Sequence, residues 1–152
     1  STNQALDRII NFFPEERRQQ LLMDLSLNLK GLISQRLIPY MEKGGRIPAV
    51  EIMLNTPLMS DLIFKGEVHE MKSLMSKSNE QGMITFDQAL FNLYEEGKIS
   101  YEDALRNADS VNDLRLRIKL ESETAKKSGL LDADRDDFEL EEDDEDPISG
   151  MI

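Results

Sequence analysis

Few residues in this sequence combine the types and spacing that chemistry requires. Asp132, Asp134 and Asp136 fall at positions 1, 3 and 5 of a calcium-loop pattern. Position 6 of that pattern needs a glycine for its sharp turn and here is Asp137; position 8 is Glu139, and the bidentate glutamate of position 12 has become Asp143. The stretch reads as a solvated charge run, not a cation site. His69 is the only histidine, flanked at close range by Glu67 and Glu70. With no cysteine in the chain a metal centre lacks its usual ligands. A general base would need a pocket partner that the sequence does not supply, so His69 reads as a helix-surface residue. Gly44 and Gly45 are not followed by the Lys-Ser/Thr pair of a nucleotide loop. No Ser-His-Asp set or paired carboxylates stand out. No catalytic residue, cofactor-binding residue or metal ligand is assigned on these residues.

Residues 85–108, TFDQALFNLYEEGKISYEDALRNA, outline two short helices around a tight turn, as a DNA-reading helix-turn-helix would. They carry Asp87, Glu95, Glu96, Glu102 and Asp103 against Lys98 and Arg106, a local charge of −3. Acids open the second helix where base contact would occur, so the stretch reads as a packed helical hairpin and not a nucleic-acid interface.

Charge is unevenly placed along the chain. Residues 130–152 carry −10 of the net −12, and the remaining 129 residues are nearly neutral at −2. A neutral body without a basic face is a poor ligand for DNA or anionic lipid. Apolar runs are too short to span a membrane, so no direct membrane insertion is expected. The absence of cysteine excludes disulfides. The chain opens on Ser1 without an initiator Met, which reads as a piece of a longer protein.

The elements that must position any site are mainly α-helical with a small antiparallel β-hairpin. Leu6, Ile9, Ile10 and Phe13 share one face of a first helix capped at Thr2 or Asn3. Pro14, Glu15 and Glu16 open a second, with Leu22, Leu25 and Leu29 as its buried stripe and Gly31 as its stop. In LISQRLIPY the residues Ile33, Gln35 and Leu37 alternate with Leu32, Ser34, Arg36 and Ile38. IPAVEIML is its partner across the Gly44-Gly45 turn, and the pair should belong to a larger sheet. Thr56 and Pro57 open a short helix that Gly66 ends. Val68, Met71, Leu74 and Met75 line the next; Met53, Met59, Met71, Met75 and Met83 read as core filling. Thr85 with Gln88, Ser100 with Asp103, and Ser110 with Asp113 cap three more helices, the last running through VNDLRLRIKLESETAKK. Beyond Gly129 the composition suits a solvated acidic tail in which Phe138 and Leu140 are the internal apolar anchors.

Taken in order, STNQALDRIINFFPEERRQQLLMDLSLNLKGLISQRLIP, GGRIPAVEIMLNTP and GMITFDQALFNLYEEGKISYEDAL closely resemble the C-terminal part of the type IV pilus retraction motors, the PilT/PilU family, over about residues 1–120. The long tail places the resemblance nearest the auxiliary, PilU-like branch. The resemblance implies the end of a RecA-like core of a hexameric secretion-type ATPase over residues 1–55, a C-terminal helical subdomain over 56–128 and an acidic disordered tail over 129–152. It implies ATP and Mg for the parent protein, with the nucleotide-binding motifs lying upstream and none in this chain. It implies twitching motility at the cytoplasmic, inner-membrane face of a bacterial pilus machine. The implied partners are copies of itself, the main retraction motor and the pilus platform protein.

One family motif falls inside the chain. Retraction motors carry Ala-Ile-Arg-Asn-Leu-Ile-Arg-Glu directly after Thr-Pro, an element needed for retraction more than for hydrolysis. Here Thr56-Pro57 precedes Leu58, Met59, Ser60, Asp61, Leu62, Ile63, Phe64 and Lys65. Leu62 and Ile63 match, and Met59 matches in character. Both arginines are gone, as Ser60 and Phe64, and the last glutamate is Lys65. The departures favour the auxiliary branch. A plainer reading has Leu62 and Ile63 packing the helix into the core. The expected function is to transmit nucleotide-driven motion to neighbouring subunits and the pilus base. The alternative is a free-standing helical interaction module whose acidic tail binds a basic protein partner.

Overall fold

A computed structural model describes residues 1–42 and 44–129. The calcium-like run from Asp132 to Asp143, with Phe138 and Leu140, lies outside the described residues. Helices α1 (Thr2–Phe12) and α2 (Glu15–Asn28) lead into strands β1 (Gly31–Pro39) and β2 (Arg46–Leu54). Helix α3 (Pro57–Lys65), a 3-10 turn (Val68–Glu70) and α4 (Met71–Ser76) follow, then a second 3-10 turn (Asn79–Gln81). Helices α5 (Phe86–Glu95), α6 (Tyr101–Asn107), α7 (Val111–Glu121) and α8 (Glu123–Ser128) complete the order. The fold is mainly helical around one antiparallel hairpin.

The hairpin pairs Leu32 with Met53, Ser34 with Glu51, Arg36 with Ala49 and Ile38 with Ile47 on one face. Period-2 alternation buries the β2 members of that face, Ile47, Ala49, Glu51 and Met53. On the other face Ile33 and Leu37 are exposed, while Val50 and Ile52 are half-buried. Gly44 and Gly45 take φ of 61° and 86° in the turn, a region that side chains disfavour. Ile84 exchanges both backbone hydrogen bonds with Ile52, at 2.9 and 3.0 Å, and so caps part of the outer edge of β2.

Several local expectations shift. The first helix is capped by Ser1, in a capping box with Gln4, and not by Thr2 or Asn3. Its apolar stripe narrows to buried Leu6 and half-buried Ile10, because Ile9 and Phe13 face outward. Pro14 stands at the N-cap of α2 itself. Gly31 does not stop that helix, which ends at Asn28; it begins β1, where a Cβ would sit 2.8 Å from the Met53 carbonyl oxygen. The long C-terminal helix is two helices, broken at Ser122, whose hydroxyl accepts from the Ala125 N–H and caps α8.

Two apolar clusters form. Ile38, Ile47 and Ala49 of the hairpin meet Phe86, Leu90 and Tyr94 of α5, with Ile99, Ala104, Leu114 and Ile118 behind them. Leu6, Ile63 and Val68 join Met53, Met59, Met71, Met75 and Met83 in the other. All five of these methionines are at most 1% exposed, so the methionine-rich middle of the chain is core. An unbranched thioether with three rotatable bonds fills the irregular gap between short helices better than branched residues do.

Candidate functional site

Helix α3 is fixed at its base. The Thr56 hydroxyl accepts from the Met59 N–H at 3.4 Å, Pro57 opens the first turn, and Gly66 closes the last with φ 73°. The Asn55 side-chain amide donates to the Ser26 and Leu29 carbonyls at 2.9 and 2.8 Å, and the Ser60 hydroxyl donates to the Ser26 carbonyl at 2.7 Å. Those carbonyls belong to the last turn of α2, whose groups have no helical partner of their own. Met59 and Ile63, both fully buried, seat the helix in the methionine-rich core.

The motif therefore divides by direction. Met59 and Ile63 point inward, and Ser60, where the resembling element carries arginine, binds α2. Leu58, Asp61, Phe64 and Lys65 are exposed, and Leu62 is half-buried at the boundary. Asp61 accepts from the Lys65 ammonium at 2.7 Å, an i,i+4 pair that raises the Lys65 pKa, first through the hydrogen bond and then through charge. The plain packing reading holds for Ile63 and only in part for Leu62.

A groove of about 490 Å³ runs beside this outer face. Leu58, Asp61 and Leu62 form one wall; Glu67, His69 and Glu70 come from the 3-10 turn and its approach; Ser73, Leu74 and Lys77 close the far side. His69 is exposed, with Nε2 at 3.5 Å from a Glu70 oxygen. Among the described residues no group of three or more His, Cys, Asp or Glu side chains is arranged to hold a metal ion. A second hollow, of about 330 Å³, lies between Lys72, Asp87, Gln88, Ser110, Asp113 and Arg117. Its cations are already engaged, Lys72 with Asp109 and Arg117 with Glu121 at 3.0 Å and over the Phe91 ring at 4.3 Å.

Four carboxylates that no motif singled out organise the rest. Glu51, fully buried on β2, accepts from the Thr2 N–H at 2.6 Å and the Phe86 N–H at 3.1 Å, joining the first turns of α1 and α5. Asp87 accepts from the Asp109 and Ser110 N–H groups at 2.7 and 3.0 Å and so fixes the approach to α7, whose N-cap residue Ser110 makes no capping hydrogen bond with its side chain. Burial raises its pKa, and those two hydrogen bonds oppose the rise. Glu95 accepts from the Ser122 hydroxyl and from the Glu123 and Thr124 N–H groups at the start of α8. Asp109 binds Lys72 and Arg36, and the Arg36 guanidinium lies 4.1 Å from the Phe86 ring centroid. Burial alone would raise the Asp109 pKa; the hydrogen bonds and charges of Lys72 and Arg36 outweigh it and hold the carboxyl below its ordinary range. A readable signal existed for Glu51, a lone acid at a core register position between Ala49 and Met53.

No family model matches the chain. The sequence is 61% identical over 124 residues to the type IV pilus ATPase PilU of Pseudomonas aeruginosa, which covers 82% of this chain and 32% of that protein. It is 37% identical over 108 residues to the type IV pilus retraction ATPase PilT of the same organism, covering 71% of this chain and 31% of the relative. Among solved structures, the pilus retraction motor PilT with bound ADP superimposes with a TM-score of 0.66 at 32% identity, over 75% of this chain and 31% of that one. The chain thus spans about a third of the length of the curated relatives it matches. No helix of the described residues is long and apolar enough to cross a membrane.

Proposed function

The chain belongs to the PilT/PilU family of type IV pilus ATPases, and from that premise we propose that it is the force-transmitting part of a pilus retraction motor of the auxiliary, PilU-like kind. Helix α3 is the output element. The observation that carries this reading is the division of that helix: Met59, Ile63 and Ser60 bind it firmly to the body while Leu58 and Phe64 remain 67% and 45% exposed. A part that passes motion to a neighbour needs both a rigid seat and a free face.

In this reading ATP and Mg belong to the whole motor, and the Gly44-Gly45 turn is not a place that would hold them. Gly44 and Gly45 form the chain's only glycine doublet, and it closes a hairpin turn with open space where each Cβ would lie and no Lys-Ser/Thr after it. A phosphate cradle needs backbone N–H groups leading into a helix N-terminus. No step of hydrolysis is assigned to these residues. In this reading the motor is a hexamer at the cytoplasmic face of the pilus machine, and α3 meets a neighbouring subunit, the main retraction motor or the platform protein. The free-standing module has no observation that favours it over family membership.

Leu58→Asp with Phe64→Asp in the intact motor tests the reading. Both side chains are exposed, so the fold should tolerate the change. The expected outcome is loss of twitching with ATP turnover within about twofold of the parent, a barrier change well under 1 kcal/mol. Undiminished twitching would refute the assignment.

A further inference from the structure

The groove beside α3 combines an apolar floor with an excess of carboxylates, Asp61, Glu67 and Glu70, over the lining cation Lys77. Leu62 and Leu74 are half-buried and Leu58 stands exposed at the lip. Glu67 forms no ion pair among the described residues, and Glu70 has only the 3.5 Å approach of His69. Lys65 is spent on Asp61, which leaves Lys77 as the lining cation without an ion pair. Apolar side chains left in water beside an excess of acids are the complement of an amphipathic basic surface.

We propose that this groove docks a basic amphipathic helical segment of a partner protein, its apolar residues on Leu58, Leu62 and Leu74 and its Lys or Arg residues on Glu67 and Glu70. The proposal rests on the reading of α3 as the output element and supplies the chemistry of what it contacts. An anionic lipid surface is disfavoured, since phosphate head groups would meet the same carboxylates. Helix-in-groove recognition uses apolar anchors at i, i+3, i+4 and i+7, which three leucines on two neighbouring elements can receive.

The probe is a fluorescein-labelled helical peptide of about 14 residues with Leu at that spacing and Lys elsewhere, titrated into the 152-residue chain. Binding is read by anisotropy and mapped by NMR on the leucine methyl groups. Saturable binding is expected, with shifts at Leu58, Leu62 and Leu74, and Glu67→Lys with Glu70→Lys should weaken it about tenfold or more. The acidic residues 130–152 offer a competing site, so shifts confined to them would overturn the proposal. So would equal binding of a Leu/Glu peptide, or an affinity unmoved by the charge reversals. If the Lys peptide fails while Leu58→Asp with Phe64→Asp still stops twitching, the basic partner falls and the output helix stands. If twitching also survives, both fall.

Discussion

The Glu51 carboxylate accepts the Phe86 backbone N–H at 3.1 Å from 35 residues away, and its other oxygen takes the Thr2 N–H at 2.6 Å. Phe86 lies in the α5 cluster, while Leu6 of α1 lies in the methionine-rich one. One buried side chain therefore pins the helix starts of two separate cores to the same strand. Each helix start presents N–H groups without helical partners, and a carboxylate can satisfy one at each end.

Glutamine cannot replace it. Glu51→Gln keeps the volume but turns one acceptor into an NH₂ group facing a buried N–H, leaving a donor unsatisfied. Urea unfolding should show a loss of about 1–3 kcal/mol. A midpoint within error of the parent would mean that the two contacts contribute nothing.

The inward and outward faces of α3 should separate cleanly. Met59→Ala opens a cavity in a fully buried site and should cost about 2–5 kcal/mol. Leu58→Ala, one residue earlier, removes an exposed side chain and should change stability by no more than about 0.5 kcal/mol. Equal effects in thermal unfolding would contradict the orientation of the helix.

What could be read ahead of the structure had short range. The capping pair Thr85–Gln88 and the Ser100 hydroxyl accepting from the Asp103 N–H close within three residues, and both form. Hairpin alternation and the order of family-like segments were equally legible, because they depend on period and succession. Glu51, Asp87 and Glu95 escaped notice because their partners lie 22 to 49 positions away. Ser110 does stand at the N-cap of α7, but its hydroxyl makes no capping bond; Asp87 instead holds the Asp109 and Ser110 N–H groups just before the helix. The groove was not legible either, since it forms only where α3 folds back beside α4 across Gly66. Ser60 and Lys65 looked like losses from a motif; in place they bind α2 and pair with Asp61.

Acid stability should carry two opposing signatures. The folded pKa of Asp109 is depressed, so its contribution is present above the ordinary value of 3.8 and is lost as pH falls through the lower folded value. Asp87 is raised, so its proton is held more tightly when folded and its cost appears as pH rises from 3.8 through the folded value. In urea midpoints measured against pH, Asp109→Asn should flatten the decline below 3.8 and Asp87→Asn should flatten the one just above it. Unchanged slopes in both variants would contradict the assigned directions.

The start of helix α8 should depend on the Glu95 side chain of α5 for its hydrogen bonds. Glu95→Ala removes the acceptor for the Ser122 hydroxyl and the Glu123 and Thr124 N–H groups. Hydrogen exchange should speed in α8 and stay slow in α5, because local openings follow local contacts. Protection retained throughout α8 would show that Glu95 does not hold it.

Where nucleotide is held decides whether this chain only transmits force. If the chain is the force-transmitting part alone, calorimetric titration of its 152 residues with ATP and Mg should register no binding heat, since phosphate would be cradled by other parts of the motor. A saturable isotherm with a Kd on the order of micromolar, about −8 kcal/mol, would contradict the assignment of this chain to force transmission alone.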